Sequence, residues 1–284
     1  MLVDAHLHCT GREQASDVLA TLDGAGVDVG VLLAPFLGDG YSMHDAASLR
    51  RANAHLARLV RGHADRLVGL AVINPALPGA VDDATHALDE LRLSGFKMVP
   101  SGWHPEDECA QAVFAVAAAR AAPILFHSGI FIDGRSSRYC RPADYEPVRD
   151  QPGTRVTLAH LGWPWCDEAI ALGLIDRING VPPPHCQFRF DLSFGAPPVY
   201  RETVLRNALA VLGPELLQYG SDCFLPCPAR ELLDRQAALV AVLDALAVDA
   251  PARRHIFATT ATAWLALPGA SRAAPAPGAA ACAR

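Results

Sequence analysis

The sequence predicts a single-domain α/β protein with the (β/α)8 (TIM) barrel fold. Eight short apolar runs alternate with segments of helical periodicity along the chain. Strand–helix alternation repeated this often favours a closed barrel over an open sheet. A chain of 284 residues also suits a barrel, which commonly occupies about 250 residues. The alternative fold is a doubly wound open sheet.

The predicted strands are the short apolar runs, and Gly or Pro stands at most of the junctions with the helices. They are Leu2–His8, Asp28–Ala34, Leu67–Ile73, Gly95–Val99, Pro123–His127, Arg155–His160, Phe188–Ser193 and Leu217–Ser221. The helices predicted between them include Asp17–Ala25, Asp45–Arg61, Val81–Leu93 and Glu106–Ala122. In the second of these, an apolar stripe with one polar interruption runs along one face: Leu49, Ala52, Asn53, Leu56 and Leu59.

Two stretches fall outside the repeat. Ile130–Arg149 is a long polar insertion after the fifth strand, with a helix predicted around Pro142–Arg149. Residues 269–284, mostly Ala, Pro and Gly, predict a flexible tail. The predicted organisation is therefore a barrel over residues 1–268 followed by this tail.

Composition and charge exclude several classes of protein. Hydrophobic residues make up 51% of the chain, enough for a large core. A net charge of −6 without a basic run argues against a nucleic-acid binder. The longest apolar stretches are too short to cross a bilayer, and the N-terminus lacks the pattern of a secretory signal. We therefore expect a cytoplasmic protein that binds neither nucleic acid nor membrane.

Eight cysteines are scattered along the chain without the paired spacing of a structural zinc site. In a cytoplasmic protein we expect reduced thiols. Cys9 and Cys223 adjoin two candidate functional residues, His8 and Asp222. The favoured interpretation of both cysteines is a small buried side chain near a strand end, and the alternative is a catalytic thiol.

Polar side chains cluster where the predicted strands end. Alternate residues of a strand share a face, so Asp4, His6 and His8 point to the same side. Barrel active sites form at the C-terminal ends of the strands. Four different strands deliver imidazole or carboxylate groups to that rim: His6 and His8, His127, His160 and Asp222. A single histidine there would be interpreted as a buried core residue, but several together predict a metal site.

The chain resembles the amidohydrolase superfamily, specifically the amidohydrolase-related family that includes aminocarboxymuconate-semialdehyde decarboxylase. The matching segments run in the family's order and span nearly the whole chain: DAHLH at 4–8, GFKM at 95–98, ILFHSG at 124–129, LAHLGWPWCDEAIALG at 158–173 and YGSDCFLP at 219–226. The resemblance implies a barrel that holds one divalent metal ion, zinc or alternatively manganese. The implied ligands are His6, His8, His127 and Asp222, with His160 beside the metal-bound water.

This donor set suits hydrolysis. Three neutral imidazoles and a carboxylate suit zinc and leave one position for water, whose pKa the metal lowers. Asp222 would accept the proton of that water and pass it to the leaving group. His160 would hydrogen-bond the attacking hydroxide or the developing oxyanion. The alternative for Asp222 is the N-cap of the following helix.

Lys97, in the fourth strand, has two interpretations. In some branches of the superfamily a lysine here is carboxylated and bridges a second metal ion, which His127 and His160 would hold. In the branch that this chain resembles, a single metal ion is usual. Lys97 would then contact substrate or pair with a carboxylate. We therefore expect one metal ion.

Cationic and aromatic side chains near the rim predict an anionic substrate. His104 follows the fourth strand, Arg135 and Arg138 lie in the insertion, and Trp163 follows the sixth strand. Arginine binds carboxylates through two parallel hydrogen bonds. The alternative for the insertion is a solvated loop.

We therefore expect a metal-dependent hydrolase of a small lactone, cyclic amide or ester that carries a carboxylate. The alternative is a metal-dependent, non-oxidative decarboxylase of an aromatic or unsaturated acid. The chain is short for these decarboxylases, which favours hydrolysis. Threonines at 259 and 260 stand where the family often has an asparagine, and threonine can also cap a helix. Barrels of this kind often form dimers, so a homodimer stays open.

Overall fold

Nine parallel strands form one curled sheet in the computed structural model, which describes residues 1–38, 40–193 and 195–267. The first seven overlap the first seven predicted strands. The strands are β1 (Val3–Cys9), β2 (Val29–Leu33), β3 (Leu67–Val72), β4 (Gly95–Met98), β5 (Pro123–Phe126), β6 (Arg155–Leu158), β7 (Phe188–Asp191), β8 (Leu217–Gln218) and β9 (Cys223–Leu225). A separate two-residue hairpin pairs Leu37–Gly38 with Tyr41–Ser42.

The barrel closes through a last strand that is split in two. β8 pairs with β7 at one edge of the sheet, and β9 pairs with β1 at the other. Between them, Tyr219 O accepts a hydrogen bond from Ala5 N at 3.0 Å, and Asp222 N donates to His6 O at 2.9 Å. The (β/α)8 prediction is therefore confirmed. A regular strand over Leu217–Ser221 is wrong, because β8 ends at residue 218 and the chain resumes strand pairing only at residue 223.

Nine α-helices accompany these strands in the described part of the chain. They are α1 (Ala15–Gly24), α2 (Ala46–Val60), α3 (Ala80–Asp89), α4 (Glu108–Ala119), α5 (Cys166–Ile178), α6 (Pro198–Leu212), α7 (Ala229–Ala245), α8 (Ala250–Arg254) and α9 (Thr260–Leu265). The four predicted helices are confirmed as α1 to α4, with their ends shifted by one to four residues. Among the described helices, none combines the length and the apolar character that crossing a membrane requires.

The polar interruption in the apolar stripe of α2 has a structural reason. Asn53 is buried, and its amide bonds both backbone groups of Val72 in β3: Nδ2 donates to Val72 O at 3.1 Å, and Oδ1 accepts from Val72 N at 2.9 Å. A buried amide with both partners avoids the cost of an unsatisfied polar group. At the start of α2, Asp45 accepts from Ala47 N at 3.0 Å and caps the helix.

The insertion after β5 contains two 3₁₀-helices, Ser137–Tyr139 and Pro142–Asp150. The helix predicted around Pro142–Arg149 is therefore of the 3₁₀ type. Tyr145 is buried, and its hydroxyl donates to the backbone oxygen of His127. This bond ties the insertion to the residue that follows β5. The predicted tail, residues 269–284, lies outside the described residues.

Apolar side chains form two cores, one between the sheet and the surrounding helices and one inside the barrel. The inner core includes Trp264 of α9, whose Nε1 donates to the oxygen of Arg155 at 3.1 Å. Val3 and Arg155 are the first residues of their strands, so α9 covers the N-terminal end of the barrel. A ligand must therefore approach from the C-terminal end.

Glu13 holds the turn that follows β1. Its carboxylate accepts hydrogen bonds from the backbone N–H groups of Thr10 (3.1 Å), Gly11 (3.1 Å) and Arg12 (3.2 Å). It also lies 3.0 Å from His55 Nε2 in α2. Burial alone would raise the pKa of Glu13, but the hydrogen bonds from His55 and the backbone outweigh it and lower the pKa to about 2.

We expect Glu13→Gln to lower the free energy of unfolding by roughly 2–3 kcal/mol near neutral pH. Because the folded pKa lies below the usual 4.5, this stabilisation is complete above pH 4.5 and is lost as the pH falls towards 2. Urea unfolding of both proteins near neutral pH and in acid measures the difference. Glu90→Gln, at an exposed position, is the control. A difference between wild type and Glu13→Gln that is the same at both pH values would contradict this assignment.

Candidate metal centre

Two histidines of β1 lie together at the C-terminal end of the barrel. His6 and His8 are buried, and their Nε2 atoms lie 3.1 Å apart, as strand alternation predicts. Asp4 does not join the two histidines but bonds the backbone. The pairing of β1 with β2 is irregular between Asp4 and Leu7, and Asp4 Oδ1 accepts from the N–H groups of His6 (3.2 Å) and Ser221 (2.9 Å). Asp4 thus fixes the last strand against β1.

Asp222 brings a carboxylate to the two imidazoles. Its Oδ1 lies 2.9 Å from His8 Nε2 and 3.2 Å from His6 Nε2. One ligand atom from each of the three residues lies within 4.8 Å of the others. Among the described residues, this is the group of histidine, cysteine or acidic side chains with the spacing of a metal site. The structure therefore brings together three of the four predicted ligands.

The backbone is unusual at two of the predicted functional residues. His160 and Asp222 have φ angles of 60° and 59°, in the left-handed region that residues other than glycine rarely adopt. Such conformations cost roughly 1–3 kcal/mol each and concentrate at functional sites. Both side chains are therefore held where a regular strand would not place them.

Two residues at the end of β7 support the histidines, and neither was predicted as a site residue. Asp191 Oδ2 lies 2.6 Å from His6 Nδ1, and both side chains are fully buried. Ser193 Oγ lies 2.9 Å from His160 Nδ1 and 3.4 Å from His6 Nδ1. Because the Asp191 carboxylate accepts the Nδ1 proton of His6, the Nε2 atom keeps its lone pair for a metal ion.

His127 and His160 border this group. The ring centroid of His160 lies 5.5 Å from that of His6 and 5.2 Å from that of His127. Burial, together with His160 and Lys97, lowers the pKa of His127 well below its usual value. Its Nε2 atom is buried and has no hydrogen-bond partner in the part of the chain that the structure describes. This buried ring nitrogen is therefore available to bind a metal ion.

Lys97 of β4 is buried beside the same group. Only 1% of its surface is exposed, and its Nζ lies 3.4 Å from His6 Nε2. Burial lowers the pKa of Lys97 to about 8, although Asp222 and Asp191 act in the opposite direction. Lys97 therefore contacts a predicted metal ligand directly, and its bridging or substrate-binding role stays a prediction.

Nearly the whole chain matches a known family. The family model described as amidohydrolase matches residues 3–267. The chain belongs to the amidohydrolase family. A sequence search of the curated proteins finds no match.

Solved structures that resemble this amidohydrolase include two decarboxylases. The 2,6-dihydroxybenzoate decarboxylase from Rhizobium is 13% identical, with 94% of this chain and 99% of that chain covered and a TM-score of 0.66. The 5-carboxyvanillate decarboxylase from Novosphingobium aromaticivorans, complexed with manganese and a nitrobenzoic acid, is 17% identical over 88% and 79%, with a TM-score of 0.62. An amidohydrolase from Burkholderia multivorans is 15% identical over 94% and 100%, with a TM-score of 0.64. At these identities the likeness shows the fold alone.

The donor atoms of this amidohydrolase fit a divalent metal ion. Burial lowers the pKa values of His6 and His8, so both imidazoles are neutral, as metal ligands must be. Burial alone would raise the pKa of Asp222, but His6, His160 and His8 outweigh it and hold the pKa well below its usual value. Two imidazoles and a carboxylate thus meet near the buried Nε2 atom of His127. Zinc and manganese both accept such ligands.

Arg135 contacts this centre indirectly, through the ring of Phe131. Its guanidinium lies 4.0 Å above the centroid of Phe131, and the Phe131 ring stacks on His127 with centroids 4.2 Å apart. Arg135 also pairs with Asp133 at 2.7 Å and contacts Met43 Sδ at 3.0 Å. The positive charge of Arg135 therefore lies beside the metal-binding group. We call this region, formed by Phe131 and Arg135, the mouth of the site.

The other predicted substrate-binding residues make different contacts. His104 and Arg138 both contact the ring of Tyr139, at 4.7 and 4.6 Å from its centroid. His104 also lines a surface cleft with several acidic groups. Trp163 packs against Tyr200, with centroids 4.8 Å apart. These contacts do not bring the three side chains to the metal-binding group, and their role in substrate binding stays a prediction.

Two further aromatic rings, which were not predicted as site residues, lie beside His8. Phe224 of β9 stacks on His8 with centroids 4.5 Å apart, and Phe36 lies 5.5 Å from His8. Phe224 is 51% exposed, so part of its surface faces solvent. With Phe131, these rings come from three separate segments of the chain. A flat apolar substrate would therefore meet aromatic surface beside the donor atoms.

Proposed function

We propose that this amidohydrolase is a metal-dependent decarboxylase of a hydroxylated aromatic carboxylic acid. The observation that carries the proposal is the proximity of the His6–His8–Asp222 group to an aromatic and cationic mouth that includes Phe131 and Arg135. The similarity in fold to decarboxylases of dihydroxybenzoate and carboxyvanillate supports it.

Different residues of the centre would bind the metal ion, the substrate ring and the substrate carboxylate. A divalent metal ion held by His6, His8, His127 and Asp222 would supply a Lewis acid for the oxygen atoms of the substrate. Phe224, which stacks on His8 and is half exposed, would offer an aromatic face for the ring of the substrate. The Arg135 guanidinium offers hydrogen bonds to a carboxylate, in exchange for its ion pair with Asp133.

Decarboxylation ends with a proton on the ring. When the bond between the ring and the carboxylate breaks, CO2 leaves and the electron pair stays on the ring carbon, which takes up one proton. Asp222, 2.9 Å from His8, or His160, 2.9 Å from Ser193, would carry that proton. Solvent replaces it, so the reaction needs no oxidant or reductant.

Hydrolysis of a carboxylate-bearing lactone, cyclic amide or ester is the second candidate. The observation that favours it is the His160–Ser193 pair, which would hydrogen-bond a developing oxyanion beside the metal-binding group. Asp222 would then accept the proton of the attacking water. The metal ligands are the same for both reactions, so the products distinguish them.

The decisive assay offers the zinc- or manganese-loaded enzyme a panel of hydroxybenzoates and a panel of carboxylated lactones. We expect release of CO2 from at least one hydroxybenzoate, with deuterium at the vacated ring position when the reaction runs in D2O. Elemental mass spectrometry of the same sample, purified without a histidine tag or chelators, is expected to find about one metal ion per chain.

Lactone opening without CO2 release would support the second candidate instead. About two metal ions per chain would assign Lys97 the bridging role. A preparation that binds a metal ion but transforms neither panel would contradict both functions.

A further inference from the structure

Three neighbouring segments at the C-terminal end of the barrel contain no charged residue. They follow β5 (residues 128–132), β6 (161–165) and β7 (195–200), and the last of them runs into the first turn of α6. Large apolar side chains on these segments face solvent: Ile130 is 39% exposed, Val199 82% and Tyr200 52%. Exposed apolar side chains that lie together mark binding surfaces.

The three segments contact one another. Ile130 N donates to Trp163 O at 2.9 Å, and the ring of Trp163 packs against that of Tyr200 with centroids 4.8 Å apart. The approach is close because residue 129 is glycine, and a Cβ there would collide with Trp163 O. We call the surface formed by Ile130, Trp163, Val199 and Tyr200 the apolar rim.

The apolar rim adjoins the metal centre on the side of His127 and His160. His127 precedes Ile130 by three residues, and His160 precedes Trp163 by three. Trp163 N donates to His160 O at 3.0 Å. The segment after β7 also approaches this histidine, because a Cβ at Gly195 would lie 2.6 Å from His160 Cβ. A molecule that extends from the metal centre past His160 therefore meets the apolar rim.

The position of the rim indicates what covers it. Since α9 covers the N-terminal end of the barrel, a substrate enters and leaves beside the rim. A macromolecule seated there would obstruct this path. An apolar part of the substrate itself would cover the rim and leave with the product, and it would contact aromatic and aliphatic side chains without meeting a charge.

We propose that the apolar rim binds a second ring, or an apolar substituent of similar size, on the substrate. The preferred substrate is then an aryl-substituted hydroxybenzoate, with its carboxylate and first ring at the metal centre, rather than a single-ring acid. This inference rests on the proposed function, because it extends the substrate that the metal centre would hold.

Titration calorimetry on the manganese-loaded protein tests the proposal with hydroxybenzenesulfonate and a set of its phenyl-substituted derivatives. The sulfonate replaces the carboxylate, so no probe can lose CO2 and binding is measured without turnover. We expect the phenyl group of at least one derivative to strengthen binding by about tenfold or more, because it removes apolar surface from water.

Tyr200→Ser removes a ring from the apolar rim at a half-exposed position, so the fold should be unaffected. We expect the gain from the phenyl group to fall below about threefold in this variant. Val211→Ser is the matched control, because Val211 is a partly exposed apolar residue near the other end of α6. This control should keep the whole gain.

The outcomes separate this inference from the proposed function. Equal affinity for the substituted and unsubstituted probes, in a protein that releases CO2 from hydroxybenzoates, would overturn the inference alone. Binding of no probe would overturn it together with the aromatic substrate of the proposed function. Tighter binding of a phenyl derivative to a protein that decarboxylates no hydroxybenzoate would still support the subsite. If Tyr200→Ser kept the gain but dissociated an oligomer in light scattering, the rim would be an interface between copies of the chain, and the inference would be wrong.

Discussion

Asp222→Asn is expected to lower kcat by about 10²- to 10⁴-fold while leaving the fold intact. Asparagine keeps the shape of the side chain but loses the negative charge that attracts a metal cation and the basic oxygen that a proton carrier needs. The Nε2 atoms of His8 and His6, at 2.9 and 3.2 Å, would then face a neutral amide. Steady-state kinetics on a hydroxybenzoate that the wild-type enzyme decarboxylates checks this prediction, with metal content measured on the same sample.

The matched control is Asp234→Asn, at an exposed position of α7 where the carboxylate pairs with Arg230 at 2.7 Å. Exposed pairs of this kind contribute little, so activity and the midpoint of thermal unfolding should stay close to wild type. If Asp222→Asn kept more than about a tenth of the activity, Asp222 would be neither an essential ligand nor the proton carrier.

The fold could be predicted from the sequence because strand–helix alternation is a local pattern repeated along the chain. The last strand could not. Asp222 adopts a left-handed conformation between β8 and β9, and this conformation depends on its bonding to β1 through His6 O. No periodicity in residues 217–225 signals such a turn. The split strand is therefore a consequence of tertiary structure.

The donors of the candidate site were visible for the same reason, since each histidine and Asp222 follows or lies within an apolar run. The residues that contact and orient these donors could not be predicted, because they lie far from the donors along the chain. Asp191 lies 185 residues from its partner His6. Phe224 meets His8 only because β1 and β9 pair in that register. The one signal for Asp191 along the chain is its position as an acidic residue that directly follows Phe190 at the end of a predicted strand.

Asp191→Asn is expected to weaken metal binding by roughly 10- to 100-fold, with a much smaller effect on kcat at saturating metal. The carboxylate of Asp191 accepts the proton of His6 Nδ1 at 2.6 Å, and its other oxygen accepts from Ser193 N. In the variant, the amide oxygen can keep the bond to Ser193, and the amide nitrogen then faces His6 Nδ1. That nitrogen donates, so the proton of His6 moves to Nε2, the atom that a metal ion needs.

Competition with a chromogenic chelator measures the affinity, and activity at saturating metal separates this tautomer effect from a loss of structure. Asp4→Asn is the matched control, because Asp4 is equally buried but bonds backbone N–H groups of His6 and Ser221 through one oxygen, which asparagine retains. We expect Asp4→Asn to change metal affinity by less than about threefold. Equal losses in both variants would mean that any buried carboxylate near β1 supports the centre, and that Asp191 does not act by selecting the tautomer of His6.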